Sequence, residues 1–135
     1  MALIALLAAA GPASAQATAY GVKAYSGKIT QVLPKPYAGP VSFVVSGQSI
    51  TGLTVTFGVA CQGLGWVRDQ DPITTLTVVV RRTGAFSYAG KVGNRHLRLS
   101  GVMTRHRVVG TFFQTFWLGR DFCSMSQPAL FTASR

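Results

Sequence analysis

The sequence contains no glutamate, and its only side-chain carboxylates are those of Asp69, Asp71 and Asp121. That scarcity removes whole classes of chemistry. An H-E-x-x-H zinc site cannot be built without glutamate. A glycosidase working through two carboxylates would have to draw both from these three aspartates. Cysteine is equally sparse. Cys61 and Cys123 are the only two, they form no C-x-x-C motif, and no histidine is spaced from them as a zinc partner. No G-x-S-x-G elbow, Walker A loop or G-x-G-x-x-G turn is present. No segment reaches the roughly 20 apolar residues of a membrane-spanning helix. No window shows a helical apolar stripe either.

What is present reads first as an exported chain. Residues 3–10 form a short apolar run, Gly11-Pro12 breaks it, and Ala13-Ser14-Ala15 matches a small-residue cleavage site. Residues 1–15 are therefore expected to be a signal peptide and residues 16–135 a single domain, secreted into the periplasm or the extracellular space. No Lys or Arg precedes the apolar run, which leaves room for a true start upstream of Met1. In such a compartment an even cysteine count implies a disulfide, here Cys61–Cys123.

The apolar pattern has a period of two. Leu53, Val55, Phe57, Val59 and Cys61 alternate with Thr54, Thr56, Gly58 and Ala60, as in a half-buried strand. Similar reasoning places strands at 25–32, 41–45, 73–80, 85–89, 97–99, 108–116 and 129–134. Short connections make sequential neighbours antiparallel. The expected fold is all-β: an up-and-down meander of about eight strands, closed as a β-barrel or flattened as a β-sandwich. With the first strand running upward, Cys61 and Cys123 both fall at the top. The alternation that defines the strands is independent of the cysteines, so this agreement supports the pairing.

Charge is lopsided, with 13 basic residues against 3 acidic ones and a net charge of +10. Such a field favours anionic partners: nucleic acid, acidic glycan or anionic polymer. Two constellations follow from the meander. Arg81, Arg82, Arg105, His106 and Arg107 occupy two turns at the bottom and form a candidate anion site, since Arg forks fit phosphate and carboxylate. Exposed turns also attract solvated charge with no ligand at all. Trp66, Asp69, Asp71, Trp117 and Asp121, with Arg68, Arg120 and Phe122, fall in two long loops at the top. Tryptophan faces beside carboxylates suit a sugar ring, and clustered carboxylates suit Ca²⁺. The plainer reading is that Asp71-Pro72 is a turn signal and that the aspartates cap their loops or pair with Arg68 and Arg120. His96 and His106 fall at opposite ends, over ~20 Å apart at the rise of a strand, so they share no metal or acid–base site. Phe113 and Phe116 are expected in the core of a strand buried on both faces.

The leader, the glycines Gly39, Gly84 and Gly110 each shortly before a Phe, a cysteine after the third strand, a second near the end and a closing Thr-Ala-Ser-Arg resemble small exported bacterial β-proteins of unknown function. In size and strand count the chain also resembles streptavidin-type barrels. Neither resemblance carries over a functional residue. The reading is a non-enzymatic binding module for an anionic or glycan partner, with no cofactor, no metal and no transmembrane segment. Nucleic acid is admitted by charge but by no motif. The alternatives are a carrier of a small apolar ligand inside a barrel, a structural protein without a ligand site, and a hydrolase using two of the aspartates.

Overall fold

The computed structural model describes residues 22–32, 35–73 and 76–135. The signal peptide expected at 1–15 and the start of the domain expected at 16–135 lie outside the described residues. Ten strands follow in order: β1 (Val22–Gln31), β2 (Tyr37–Ser46), β3 (Ser49–Cys61), β4 (Gly65–Ile73), β5 (Val78–Val79), β6 (Ala85–Val92), β7 (Arg95–Met103), β8 (Arg107–Leu118), β9 (Asp121–Ser124) and β10 (Ala129–Ser134). All pairs are antiparallel, and consecutive strands alternate in direction except at β4 and β5, which both run against β3, and at β9 and β10, which both run against β8.

The sheet closes into a six-stranded barrel in the order β10–β1–β2–β3–β9–β8, with β8 returning to β10. The closure depends on β8. One of its edges pairs β7 from Val108 to Phe116. The other edge carries β10 along Arg107–Phe112 and β9 along Thr115–Leu118. β9 and β10 thus run as one interrupted strand down the same edge. The interruption at residues 125–128 contains Pro128, which has no N–H to give a ladder. β6 and β7 extend the sheet beyond the ring, and β4 and β5 line the free edge of β3.

Alternation places the core. Tyr25, Ile29, Phe43, Val55, Phe57, Val59, Leu97, Phe112, Phe116 and Phe131 point inward and are almost fully buried. Phe57 and Phe112 meet at the centre, with ring centroids 5.2 Å apart and planes tilted by 60°. Full burial of such a side chain contributes roughly 1.5–3 kcal/mol. Turns follow the expected chemistry. Gly47 (φ 61°) and Gln48 join β2 to β3 in a two-residue hairpin, where a positive φ suits the strand twist. Gly84 (φ 90°) is required twice over, because a Cβ there would stand 2.2 Å from the Met103 carbonyl oxygen.

Four expectations need correction. The strand read at 73–80 is not continuous: β4 precedes it as a hairpin partner of β3, and only Val78–Val79 pairs farther down. Asp71-Pro72 looked like a turn, yet Pro72 sits within β4 opposite Thr54. β4 has β3 on one side only, and an edge strand tolerates a missing N–H. The loops expected to carry Trp66, Asp69, Asp71, Trp117 and Asp121 are strands instead, namely β4, the end of β8 and β9. Finally, β8 is buried on one face, not two. Phe116 is in the core while Phe113 lies half-exposed on the outside.

Candidate functional site

The bottom of the barrel brings the basic turns together. The 81–84 turn and the 104–106 turn are stitched by the Met103 N–H donating to the Gly84 carbonyl at 2.8 Å. Within them, the Arg81 N–H donates to Ala85 O at 2.9 Å and the Thr104 N–H to Arg107 O at 2.8 Å. The backbone is therefore satisfied internally, and Arg81, Arg82, Arg105, His106 and Arg107 all turn outward as exposed side chains. Two further cations join them. Arg135 donates from Nε and Nη2 to Arg105 O at 3.2 and 3.0 Å, which braces the end of β10 against the 104–106 turn. Lys23, at the start of β1, lines a depression of about 210 Å³ with Tyr25, Gly47, Thr104 and Arg105. No aspartate belongs to any of these segments, since the three lie on β4 and β9. Strand alternation pointed to the turn residues. It missed Lys23 and Arg135 because nothing in a periodic pattern says that the first and last strands end beside those turns; the pairing of β10 with both β8 and β1 does.

The top is pinned by the Cys61–Cys123 disulfide, with an S–S length of 1.98 Å, joining β3 to β9. The cysteines are 5% and 0% exposed. The aromatic and acidic residues expected to converge there are dispersed across it. Trp66 lies flat over Gly58, where a Cβ would come within 2.5 Å of the ring. Its other neighbours are Tyr37, edge-on at 5.5 Å, and Lys35, whose Nζ sits 4.2 Å from the ring centroid. Trp117 instead packs on Phe122, with centroids 5.1 Å apart. Between the two tryptophans stand β3 and β9, so each has its own aromatic partner and they form no common cleft. Asp69 Oδ2 accepts from Arg95 Nη1 at 2.7 Å, and the Arg95 guanidinium covers the Phe116 ring at 4.1 Å. Asp121 stands beside the 62–64 turn, where its Oδ1 would be 3.0 Å from a Cβ at Gly63. The side chain of Asp71 lies outside the described residues. Among the described residues, no three His, Cys, Asp or Glu side chains come together to hold a metal ion. His96 opens β7 at the top and His106 lies in the turn at its bottom, as the strand directions require.

A third surface was not anticipated. The outer face of β6, β7 and β8 carries Arg98 over Phe113, the guanidinium carbon 4.7 Å from the ring centroid. Two shallow depressions of about 300 and 290 Å³ flank this pair. The signal for it was the period-two pattern of β8 itself, which puts Phe113 and Phe116 on opposite faces. No family model, curated protein or solved structure matches the chain.

Proposed function

We propose that the protein is an exported, non-enzymatic binding module that grips an anionic polymer at the basic end of its barrel. The observation that carries this reading is the fixed proximity of the two arginine turns, held by backbone hydrogen bonds that leave the guanidinium groups outside. Arg135 and Lys23 widen the patch, and the absence of aspartate from these segments leaves its field uncompensated. Arg forks engage phosphate, sulfate or carboxylate oxygens in pairs, so a chain of such groups gains from several at once. The interior favours surface over interior binding: the inner faces of the strands are taken up by aromatic and aliphatic side chains packed on one another. Asp69 is already engaged with Arg95, which speaks against its service as a catalytic acid or base. The disulfide suits an oxidising compartment, and no helix among the described residues is long and apolar enough to cross a membrane.

Retention on heparin resin tests the reading. The wild-type chain is expected to bind at low salt and to elute as counterions compete. Reversing Arg81, Arg82, Arg105 and Arg107 to glutamate is expected to abolish retention. In solution titrations against a polyanion, neutralising these four to glutamine is expected to flatten the log K against log salt slope by about 3, at 0.7–0.9 per ionic contact. A wild-type chain that ignores the resin, or a reversed variant that elutes unchanged, defeats the proposal.

A further inference from the structure

We propose that the outer face of β6–β8 is a second binding surface, a stacking platform for single-stranded nucleic acid, resting on observations independent of the basic end. β8 presents Phe113 and Trp117 outward, four residues apart and so about 13 Å apart along one face. Trp117 is 52% exposed, although Phe122 supports one side of its ring. A large aromatic left half in water on a flat sheet face offers π-surface to a partner. Phe113 is capped by Arg98, and Arg98 is itself exposed. The guanidinium carbon stands over the ring while the side chain remains exposed, so a nucleobase can add to the Arg98–Phe113 pair from the solvent side.

The ground between the two aromatic positions is cationic and hydroxylated. The register sets Lys91 opposite His96 and His96 opposite Thr115, in the row between Phe113 and Trp117. The row on the other side of Phe113 holds Ser100, whose Oγ lies 3.1 Å from Thr111 Oγ1. The two depressions share Ala89, Arg98 and Phe113, where a small side chain on β6 leaves room beside the stack. The residues lining them include no aspartate. β6–β8 contain no carboxylate, the acceptor that grips sugar hydroxyls most strongly, and the carboxamide at this edge of the face, Asn94, has its Nδ2 donating to Trp117 O at 3.1 Å. That chemistry fits a chain of phosphates bearing planar bases better than a glycan, and stacking of this kind tolerates any base sequence.

The test compares three probes of equal charge at one salt concentration: oligothymidylate, an abasic deoxyribose-phosphate chain and a heparin fragment. Fluorescence anisotropy reports affinity, and tryptophan emission in a Trp66→Phe background reports on Trp117. Oligothymidylate is expected to bind about tenfold more tightly than the abasic chain and to quench Trp117. Trp117→Ala is expected to weaken oligothymidylate about tenfold and to leave heparin and the abasic chain within twofold. Equal affinity for the thymidylate and abasic chains overturns the proposal, and that comparison uses the unaltered chain. A larger loss for heparin than for oligothymidylate overturns it in favour of an acidic glycan. Reversing the charges of the basic end is expected to lower all three affinities alike while the thymidylate-to-abasic ratio survives, so failure of the basic-end reading and failure of this one are told apart.

Discussion

Replacing Cys61 and Cys123 together by alanine is expected to lower the free energy of unfolding by about 4 kcal/mol, the loop-closure value for a cross-link across 62 residues. Against the 5–15 kcal/mol typical of a small domain, that is a large share. The reason lies in the topology as much as in the loop length. β3 and β9 are joined in register by only two residue pairs, Ala60–Ser124 and Cys61–Cys123. One further backbone bond, from the Gln62 N–H to Phe122 O at 3.0 Å, lies just beyond them. The ring is therefore at its weakest here, and the covalent bond sits at that seam.

The loss should also be local before it is global. In the disulfide-free protein the amides of Ala60, Gln62 and Ser124 are expected to lose hydrogen-exchange protection first, while those of β1 and β2, joined over ten residue pairs, keep theirs. Chemical denaturation of the oxidised and double-alanine proteins measures the first claim, and exchange by NMR measures the second. A cost below 1 kcal/mol, or uniform loss of protection, means that the ladder alone closes the barrel.

How much of this was open to a reader of the sequence depends on the kind of interaction. Period-two alternation is a property of a strand by itself, so β2, β3 and β7 stand out, while β8 stands out as a continuous apolar run. The disulfide followed because strand direction places both cysteines at one end. Pairing partners are a property of the whole fold. β9 has only four residues and looked like loop, yet it is the strand that joins β3 to β8. β4 was hidden by Asp71-Pro72, whose turn signal is strong locally and irrelevant on an edge strand. The basic end was legible because turn residues are local. Its dependence on Arg135 was not, because the guanidinium reaches the Arg105 carbonyl only once β10 pairs with β8. The face bearing Phe113 and Trp117 was obscured by reading β8 as apolar all round. The outward Thr111 and Thr115 mark the outer face, but the fully buried Gln114 places a polar residue on the inner one as well and masks the division.

Gln31→Leu is the other substitution expected to be severe, at about 3 kcal/mol. Gln31 is 3% exposed at the top of β1, inside the barrel. In-register pairing of β3 with β2 reaches Val55, and its pairing with β9 begins at Ala60, so Gly58 falls in the gap between two ladders. The Gln31 side chain bridges that gap. Its Oε1 accepts from the Gly58 N–H at 2.6 Å and its Nε2 donates to Gly58 O at 2.8 Å. The carboxamide thus replaces the backbone of a missing strand residue. Water has no easy approach, because Trp66 covers the outer side of Gly58. Leucine fills similar space and leaves both backbone groups buried without partners, at about 1–3 kcal/mol each. Gln31→Glu separates the hydrogen bonds from the packing. The introduced carboxylate keeps the bond from the Gly58 N–H but faces the Gly58 carbonyl with like charge and cannot donate to it. Protonation restores the missing donor, so the native state holds that proton more tightly than the unfolded chain, where the group titrates near the usual value of about 4.3. The penalty is then small below that pH and grows as pH rises above it. The wild type has only three side-chain carboxylates, so its own stability should vary little over that range. Thermal denaturation of the three proteins between acid and neutral pH provides the measurement. If Gln31→Glu tracks the wild type across it, or if Gln31→Leu costs under 1 kcal/mol, the side chain is not the strand substitute described.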